Sequence, residues 1–209
     1  MIRPPELQGK YFHFQLTRGR TLPHGSDRSG LDRGIQRGMT RRITTHLRDH
    51  PASPPGKVWQ FKYLEYCAGA ITRTRLDAPV LTGPMSGCIL CRYQNNGQAF
   101  IAHIGTANDP DDPNTVAVKA DWTRYIASKR GANVVGRKPT QVITDMHVLD
   151  QVGKSGGTGG TDSWEVWGYF TPGDAWALLV HRFRTTTASR VVLVEPMPLL
   201  PWASIPGKW

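Results

Sequence analysis

The chain has 209 residues, with 26 Lys and Arg against 16 Asp and Glu, a net charge of +10 and a pI near 9.9. Its length suits one domain, and its 39 % hydrophobic residues and 22 glycines exclude a wholly disordered chain. No stretch approaches the ~18 apolar residues of a membrane span, and three cysteines are too few for a disulfide scaffold.

The first fifty residues are strongly basic, with nine Arg and one Lys against four acidic residues, a net charge of +6. Apolar residues recur every fourth position from Leu31 to Leu47, which predicts a marginal helix over residues 29–49. A proline-rich linker follows at residues 51–56. We therefore expect a basic N-terminal segment (1–55), a main domain (56–195) and a proline-rich tail (196–209).

The main domain is predicted to be rich in strands. One helix is expected over residues 115–129, capped at Asn114 or Thr115 and ended by Gly131, and a glycine-rich loop over residues 153–160. The predicted strands are residues 58–66, 68–75, 89–104 (a hairpin), 142–149, 164–170, 175–183 and 190–194. This pattern is typical of a β-rich α+β fold.

Two short motifs do not support the chemistry that they suggest. Lys154 and Ser155 lie in a glycine-rich run, but a phosphate-binding loop would need glycine where Val148 stands. Cys88 and Cys91 are spaced as a redox or metal pair, yet on a strand their side chains point to opposite faces. Neither a nucleotide site nor a metal site is expected from these residues.

The hairpin carries the candidate catalytic pair. Its turn contains Asn96 and Gly97, a strong hairpin signal. A turn at 96–97 pairs His103 with Leu90, and a turn at 95–96 pairs it with Cys88; either places Cys88 and His103 on one sheet face. A three- or five-residue loop would separate them. A thiol beside an imidazole suits nucleophilic catalysis, although a buried structural cysteine and histidine are the plain alternative.

The backbone before Cys88 suits the same chemistry. Gly87 permits a tight turn, so the N–H groups near Ser86 and Gly87 are predicted to bind an oxyanion.

This segment resembles a family of bacterial deamidases. An apolar residue, Ser86, Gly87 and Cys88, followed fifteen positions later by His103, is similar to the catalytic signature of the cytotoxic necrotizing factor toxins. Burkholderia lethal factor and the chemotaxis-receptor glutamine deamidases share that core. The resemblance covers residues 82–106, with Met85 where the toxins and lethal factor have Leu.

The resemblance implies a fold, a mechanism and residue roles. Cys88 would be the nucleophile, His103 the general base and acid, and Thr82 a neighbour of the site, in a mixed-sheet β-sandwich with peripheral helices. No metal or organic cofactor would be required. The reaction would convert a protein glutamine to glutamate through a thioester at Cys88, with transglutamination when an amine replaces water.

The resemblance also implies a setting. The partner would be a host protein bearing a target glutamine, such as a Rho-type GTPase or a translation-initiation helicase. A reactive thiol needs a reducing compartment, and the first 25 residues lack a Sec-type signal. We expect a monomer that is secreted by a non-Sec route into the host cytosol, with no transmembrane segment and no obligatory nucleic acid.

Three alternatives remain open. The chain would be a chemoreceptor-type deamidase in the bacterial cytoplasm, or a papain-like thiol hydrolase using the late His181. It would otherwise be a basic nucleic-acid or membrane-binding module built on residues 1–50, without catalysis. Salt-sensitive binding that needs residues 1–50 and is indifferent to Cys88→Ser would favour the module.

Overall fold

A computed structural model describes most of the chain, and the account that follows concerns the residues it describes. These are residues 2–13, 20–21, 35–37, 40–65, 67–85, 88–106, 109, 111–127, 138–144, 162–183 and 188–196.

The described residues form strands for the most part, with a short 3-10 helix at Pro4–Leu7 and the α-helix α1 at Pro113–Ala127. In chain order the strands are β1 (Tyr11–His13), β2 (Arg20–Thr21), β3 (Ile35–Arg37), β4 (Thr40–His46), β5 (Val58–Leu64), β6 (Cys67–Ala68), β7 (Ile71–Arg75), β8 (Val80–Met85), β9 (Ile89–Asn95), β10 (Gln98–Ile104), β11 (Lys138–Thr144), β12 (Asp162–Phe170), β13 (Ala175–Phe183) and β14 (Ala188–Pro196).

Two large mixed sheets organise these strands. The first has seven strands in the order β1-β14-β13-β12-β8-β5-β4, and the second has five in the order β11-β9-β10-β7-β3. Each contains one parallel pair, β5 with β8 and β3 with β7, among antiparallel neighbours. A short parallel pair joins β2 to β6. The predicted β-rich fold is confirmed.

The seven-stranded sheet is nearly closed, because its two outer strands approach each other. The backbone of Tyr11 exchanges two hydrogen bonds with Arg48, just beyond β4, at 2.8 and 2.9 Å. The Thr45 hydroxyl also donates to the carbonyl of His13 at 2.8 Å. The two ends of the sheet are thus linked by this bridge and by the Thr45 side chain.

Three buried clusters hold the layers together, because strand residues alternate between the two faces of a sheet. One face of the seven-stranded sheet packs around the aromatic residues Trp59, Tyr63 and Trp167. The other face shares a cluster with the five-stranded sheet, including Leu64 and Leu90. The far face of the five-stranded sheet packs against α1. That third cluster contains Ile71, Ile89, Cys91, Tyr93, Ala102, Ile104, Val118 and Trp122.

The helix predicted over residues 115–129 is confirmed, with its start two residues earlier than expected. Its cap is Asp112 rather than Asn114 or Thr115, since the Asp112 carboxylate accepts hydrogen bonds from the backbone of both, at 2.8 and 3.2 Å. Trp122 and Val118 bury one side of the helix against the five-stranded sheet.

The helix predicted over residues 29–49 is wrong where the structure describes it. Ile35–Arg37 and Thr40–His46 are strands, because Ile43, Thr45 and Leu47 face inward at every second position. Thr45 breaks the apolar pattern, so the two-residue period is hidden in the sequence.

The boundary expected at residue 55 also fails in the described residues. β4 and β5 lie on opposite sides of it and pair over seven consecutive residues, and β1 belongs to the same sheet. Residues 2–13 and 40–48 are therefore part of the main fold. The glycine-rich loop (153–160), Gly131 and all of the tail except Pro196 lie outside the described residues.

In the described part of the chain, no helix is both long enough and apolar enough to cross a membrane.

Candidate active site

The hairpin of β9 and β10 sets the geometry of the candidate site. Asn96 and Gly97 both have positive φ, 50° and 71°, which is the conformation of a two-residue type I′ turn. Asn95 consequently pairs with Gln98, and the ladder continues until Leu90 lies opposite His103. This is the first of the two registers that the sequence allows, so the predicted hairpin is confirmed.

Cys88 lies immediately before β9, on the same sheet face as His103. Cys88 and Leu90 both belong to the cluster between the sheets, and Leu90 is the direct cross-strand partner of His103. Cys88 is therefore the diagonal neighbour of His103, a relation that separates residues by about 7–8 Å at the backbone. The Cys88 thiol, 3 % exposed, donates to the Thr106 carbonyl at 3.6 Å.

Thr82 reaches the site from the other sheet. Its hydroxyl oxygen lies 2.7 Å from Nδ1 of His103 and 2.9 Å from the carbonyl oxygen of Leu64. A carbonyl oxygen can only accept, so the single hydroxyl proton goes to Leu64 and Thr82 accepts from Nδ1–H. The bond fixes the imidazole tautomer in which Nε2 carries the lone pair.

His103 is neutral at neutral pH. Its side chain is fully buried, and desolvation lowers the pKa of His103 to about 3. The neutral imidazole can accept a proton at Nε2, and the lowered pKa makes it a weaker base than an exposed histidine.

A fourth polar residue, Thr72, belongs to the same face and was missed from the sequence. β7 pairs with β10 so that Thr72 lies directly opposite His103. Thr72 is 5 % exposed, and its hydroxyl oxygen has no hydrogen-bond partner among the described residues. Burying an unsatisfied hydroxyl costs about 1–3 kcal/mol. No local signal identifies Thr72, because the pairing joins residues thirty-one positions apart in the chain.

The second cysteine of the C-x-x-C spacing lies on the opposite face, as predicted. Cys91 packs in the cluster against α1, whereas Cys88 packs between the sheets. Burial raises the pKa of the Cys91 thiol, which keeps it protonated. Among the described residues, no three His, Cys, Asp or Glu side chains stand together as metal ligands.

Of the three residues predicted to carry the chemistry, Thr82 and His103 are in contact between the two sheets, and Cys88 lies on the same face with its thiol bonded to the Thr106 carbonyl. The predicted oxyanion-binding residues, Ser86 and Gly87, lie outside the described residues.

Comparisons with protein-family models, with curated proteins and with solved structures give no match for this chain.

Proposed function

We propose that this chain is a cysteine-dependent protein glutamine deamidase of the cytotoxic necrotizing factor type. The observation that carries the proposal is the hydrogen-bonded order of Leu64, Thr82 and His103, with Cys88 on the same face. A neutral base with a fixed tautomer beside a thiol is what nucleophilic attack by cysteine requires.

The proposed reaction begins when Nε2 of His103 takes the thiol proton of Cys88. The thiolate sulfur then bonds to the carboxamide carbon of the glutamine, and the backbone N–H groups near Ser86 and Gly87 would hold the oxyanion. Collapse of this intermediate breaks the C–N bond, and the proton on Nε2 leaves with the nitrogen as ammonia. The product of this half-reaction is a thioester at Cys88.

Hydrolysis completes the cycle. Water gives a proton to Nε2, and its oxygen bonds to the thioester carbon. The C–S bond breaks, the sulfur regains the proton, and the glutamine has become glutamate. An amine in place of water gives transglutamination, and no metal or organic cofactor takes part.

The finer fold and the biological setting belong to the same proposal. The two sheets and α1 are proposed to be the mixed-sheet sandwich with a peripheral helix that such deamidases have. The substrate is a host protein such as a Rho-type GTPase or a translation-initiation helicase. The chain would act as a monomer after secretion by a non-Sec route into the host cytosol, where its thiol stays reduced.

Mass spectrometry of candidate substrates tests the proposal. Incubation with the wild-type chain should exchange one NH₂ for OH on a specific glutamine. Cys88→Ser should lower the rate by at least about 10³-fold, because a serine hydroxyl is a far weaker nucleophile. Cys91→Ser is the matched control, since Cys91 lies three positions away on the opposite face; it should keep most of the activity.

Two outcomes would contradict the proposal. One is deamidation that persists in Cys88→Ser. The other is a wild-type chain whose Cys88 shows no reactivity toward small electrophiles above that of a free thiol, because the base at His103 should activate it.

A further inference from the structure

Strand β4 is the last strand of the seven-stranded sheet, and one side of its backbone is an edge. Just past its end, Leu47 hydrogen-bonds to residues 56 and 57 on the β5 side, whereas Arg48 exchanges hydrogen bonds with Tyr11 of β1. Backbone groups of successive strand residues point to opposite sides, so every second residue of β4 directs its N–H and C=O away from β5. These edge residues are Arg42, Thr44 and His46.

Strand β1 does not cover this edge beyond the bridge at Arg48. Two residues after Tyr11, the carbonyl of His13 accepts from the Thr45 side chain rather than from the β4 backbone. The three edge residues are exposed, and their backbone groups bond to no other strand in the described part of the chain. An exposed edge of this kind is the surface to which an extended peptide adds as a further strand.

Two grooves follow this edge, and Thr44 borders both of them. The larger, of about 820 Å³, includes the apolar residues Ile2 and Ile43 in its wall. The smaller, of about 360 Å³, includes His46 and Arg48. Together they leave room beside β4 for the side chains of an extended peptide.

The edge is positively charged. Arg42 and Arg48 form no ion pair with another described residue, whereas Arg41 and Lys62 beside them pair with carboxylates. Six positions separate Arg42 from Arg48, which places their backbones about 20 Å apart along an extended strand. A second copy that paired through the same edge would bring like charges together, so charge complementarity favours an acidic occupant.

We propose that β4 binds an extended acidic segment of a partner protein as an additional strand of the seven-stranded sheet. The main-chain groups of the three edge residues bond to the backbone of the added strand. Paired strands place their side chains on shared faces, so carboxylates at alternate positions lie beside Arg42 and Arg48, and the apolar residues between them lie beside Ile43. The proposal goes beyond the deamidase function and does not depend on the chemistry of Cys88.

A labelled heptapeptide of alternating glutamate and valine, blocked at both ends, tests the proposal by fluorescence anisotropy. It should bind saturably, with an affinity that falls as salt is added. The same peptide with lysine in place of glutamate should bind at least about tenfold more weakly. N-methylation of one alternate set of its amides should abolish binding and of the other set should not, because only one set faces β4.

Thr44→Pro, with Thr44→Val as its matched control, tests the protein side of the contact. Proline removes the outward N–H of residue 44, and valine keeps it. The proline variant should bind the peptide at least about tenfold more weakly, and the valine variant should stay within about twofold of the wild type. Because the lost N–H does not bond to β5, urea unfolding should find both variants folded.

Amide hydrogen exchange tests the edge without any variant, so it decides even if Thr44→Pro fails to fold. In the free chain, the amides of Arg42, Thr44 and His46 should exchange faster than those of Ile43 and Thr45, which bond to β5. The glutamate–valine peptide should slow the first set and leave the second unchanged.

Four results would overturn the proposal. The absence of saturable binding, or binding that both N-methylated peptides retain, would exclude strand addition. Edge amides that are already protected in a monomeric free chain would mean that the chain covers its own edge. A dimer that Thr44→Pro dissociates would make a second copy the occupant. Each of these leaves the proposed deamidase standing, because that function is tested separately by Cys88→Ser.

Discussion

At the scale of single residues, the Thr82 hydroxyl determines what His103 can do. The hydroxyl has two hydrogen-bond contacts but only one proton to donate, and the carbonyl of Leu64 can take part only as an acceptor. The direction of the second bond follows, and with it the position of the imidazole proton. In the proposed mechanism Thr82 is thus a positioning residue that acts through His103.

Thr82→Val should release this constraint at almost constant volume. The substitution leaves the Leu64 carbonyl and Nδ1–H of His103 without the hydroxyl they share, both in a buried place. We expect a loss of about 1–3 kcal/mol in the free energy of unfolding and a fall of about 10–100-fold in turnover. Urea unfolding and the deamidation assay measure the two effects.

The tautomer itself supplies a readout that does not depend on activity. Nitrogen NMR of the imidazole should find the proton of His103 on Nδ1 in the wild type and in Thr82→Ser, which keeps the hydroxyl. A proton on Nε2 in the wild type would contradict the assignment, because the bond to Thr82 would then run the other way.

Residue spacing in the hairpin singled out Cys88 and His103, and the family resemblance singled out Thr82; the catalytic roles of all three stay predictions. Thr72 could not be found in this way. Its place beside His103 depends on the pairing of β7 with β10. Thr72 stands out only because its buried hydroxyl has no hydrogen-bond partner among the described residues. Both are tertiary properties.

At the scale of elements, local signals predicted local structure. The Asn96–Gly97 turn fixed the hairpin, and the strands from β12 to β14 follow their apolar patterns closely. β8 escaped prediction because Gly83 and Pro84 interrupt it. Gly83 has a φ of +150°, and an added Cβ would lie 3.0 Å from the Trp167 ring, so glycine is required there.

Close backbone hydrogen bonds connect Gly105, just after β10, to the turn between β6 and β7. Gly105 donates to the Ala70 carbonyl at 3.0 Å and accepts from the Gly69 N–H at 2.7 Å. A Cβ on Gly105 would lie 2.1 Å from the carbonyl oxygen of Cys67. The contact begins two residues after His103, so it supports the strand that carries His103.

Gly105→Ala should therefore destabilise the protein by at least about 2 kcal/mol, because a methyl group cannot fit against backbone that has no room to move. Urea unfolding measures the change. Gly173→Ala is the control, since an added Cβ there meets nothing within 4 Å, and its effect should stay within about 0.5 kcal/mol. Equal stability of the two variants would refute the tight contact.

At the scale of the whole molecule, the N-terminal residues complete the fold. The basic character of the first fifty residues suggested an appendage, yet Leu7, Phe12 and Leu47 are buried in the main aromatic cluster. An ion pair also joins this region to the rest of the chain, Glu6 with Lys57 at 2.5 Å, and a second pair, Lys10 with Asp49, lies within it. These pairs are largely exposed and contribute little, so apolar burial decides the attachment.

A substitution at Phe12 tests most directly whether β1 is attached to the rest of the fold by apolar burial. It is 2 % exposed and meets Trp59 edge-on, with ring centroids 5.5 Å apart, across the place where β1 approaches β4 and β5. Phe12→Ala should lower the free energy of unfolding by about 3–5 kcal/mol, because it removes a buried ring and leaves a cavity. Val116→Ala, at a position 54 % exposed on α1, should change it by less than about 0.5 kcal/mol. If urea unfolding found Phe12→Ala as stable as that control, the first strand would be an appendage after all, and the seven-stranded sheet would stand without it.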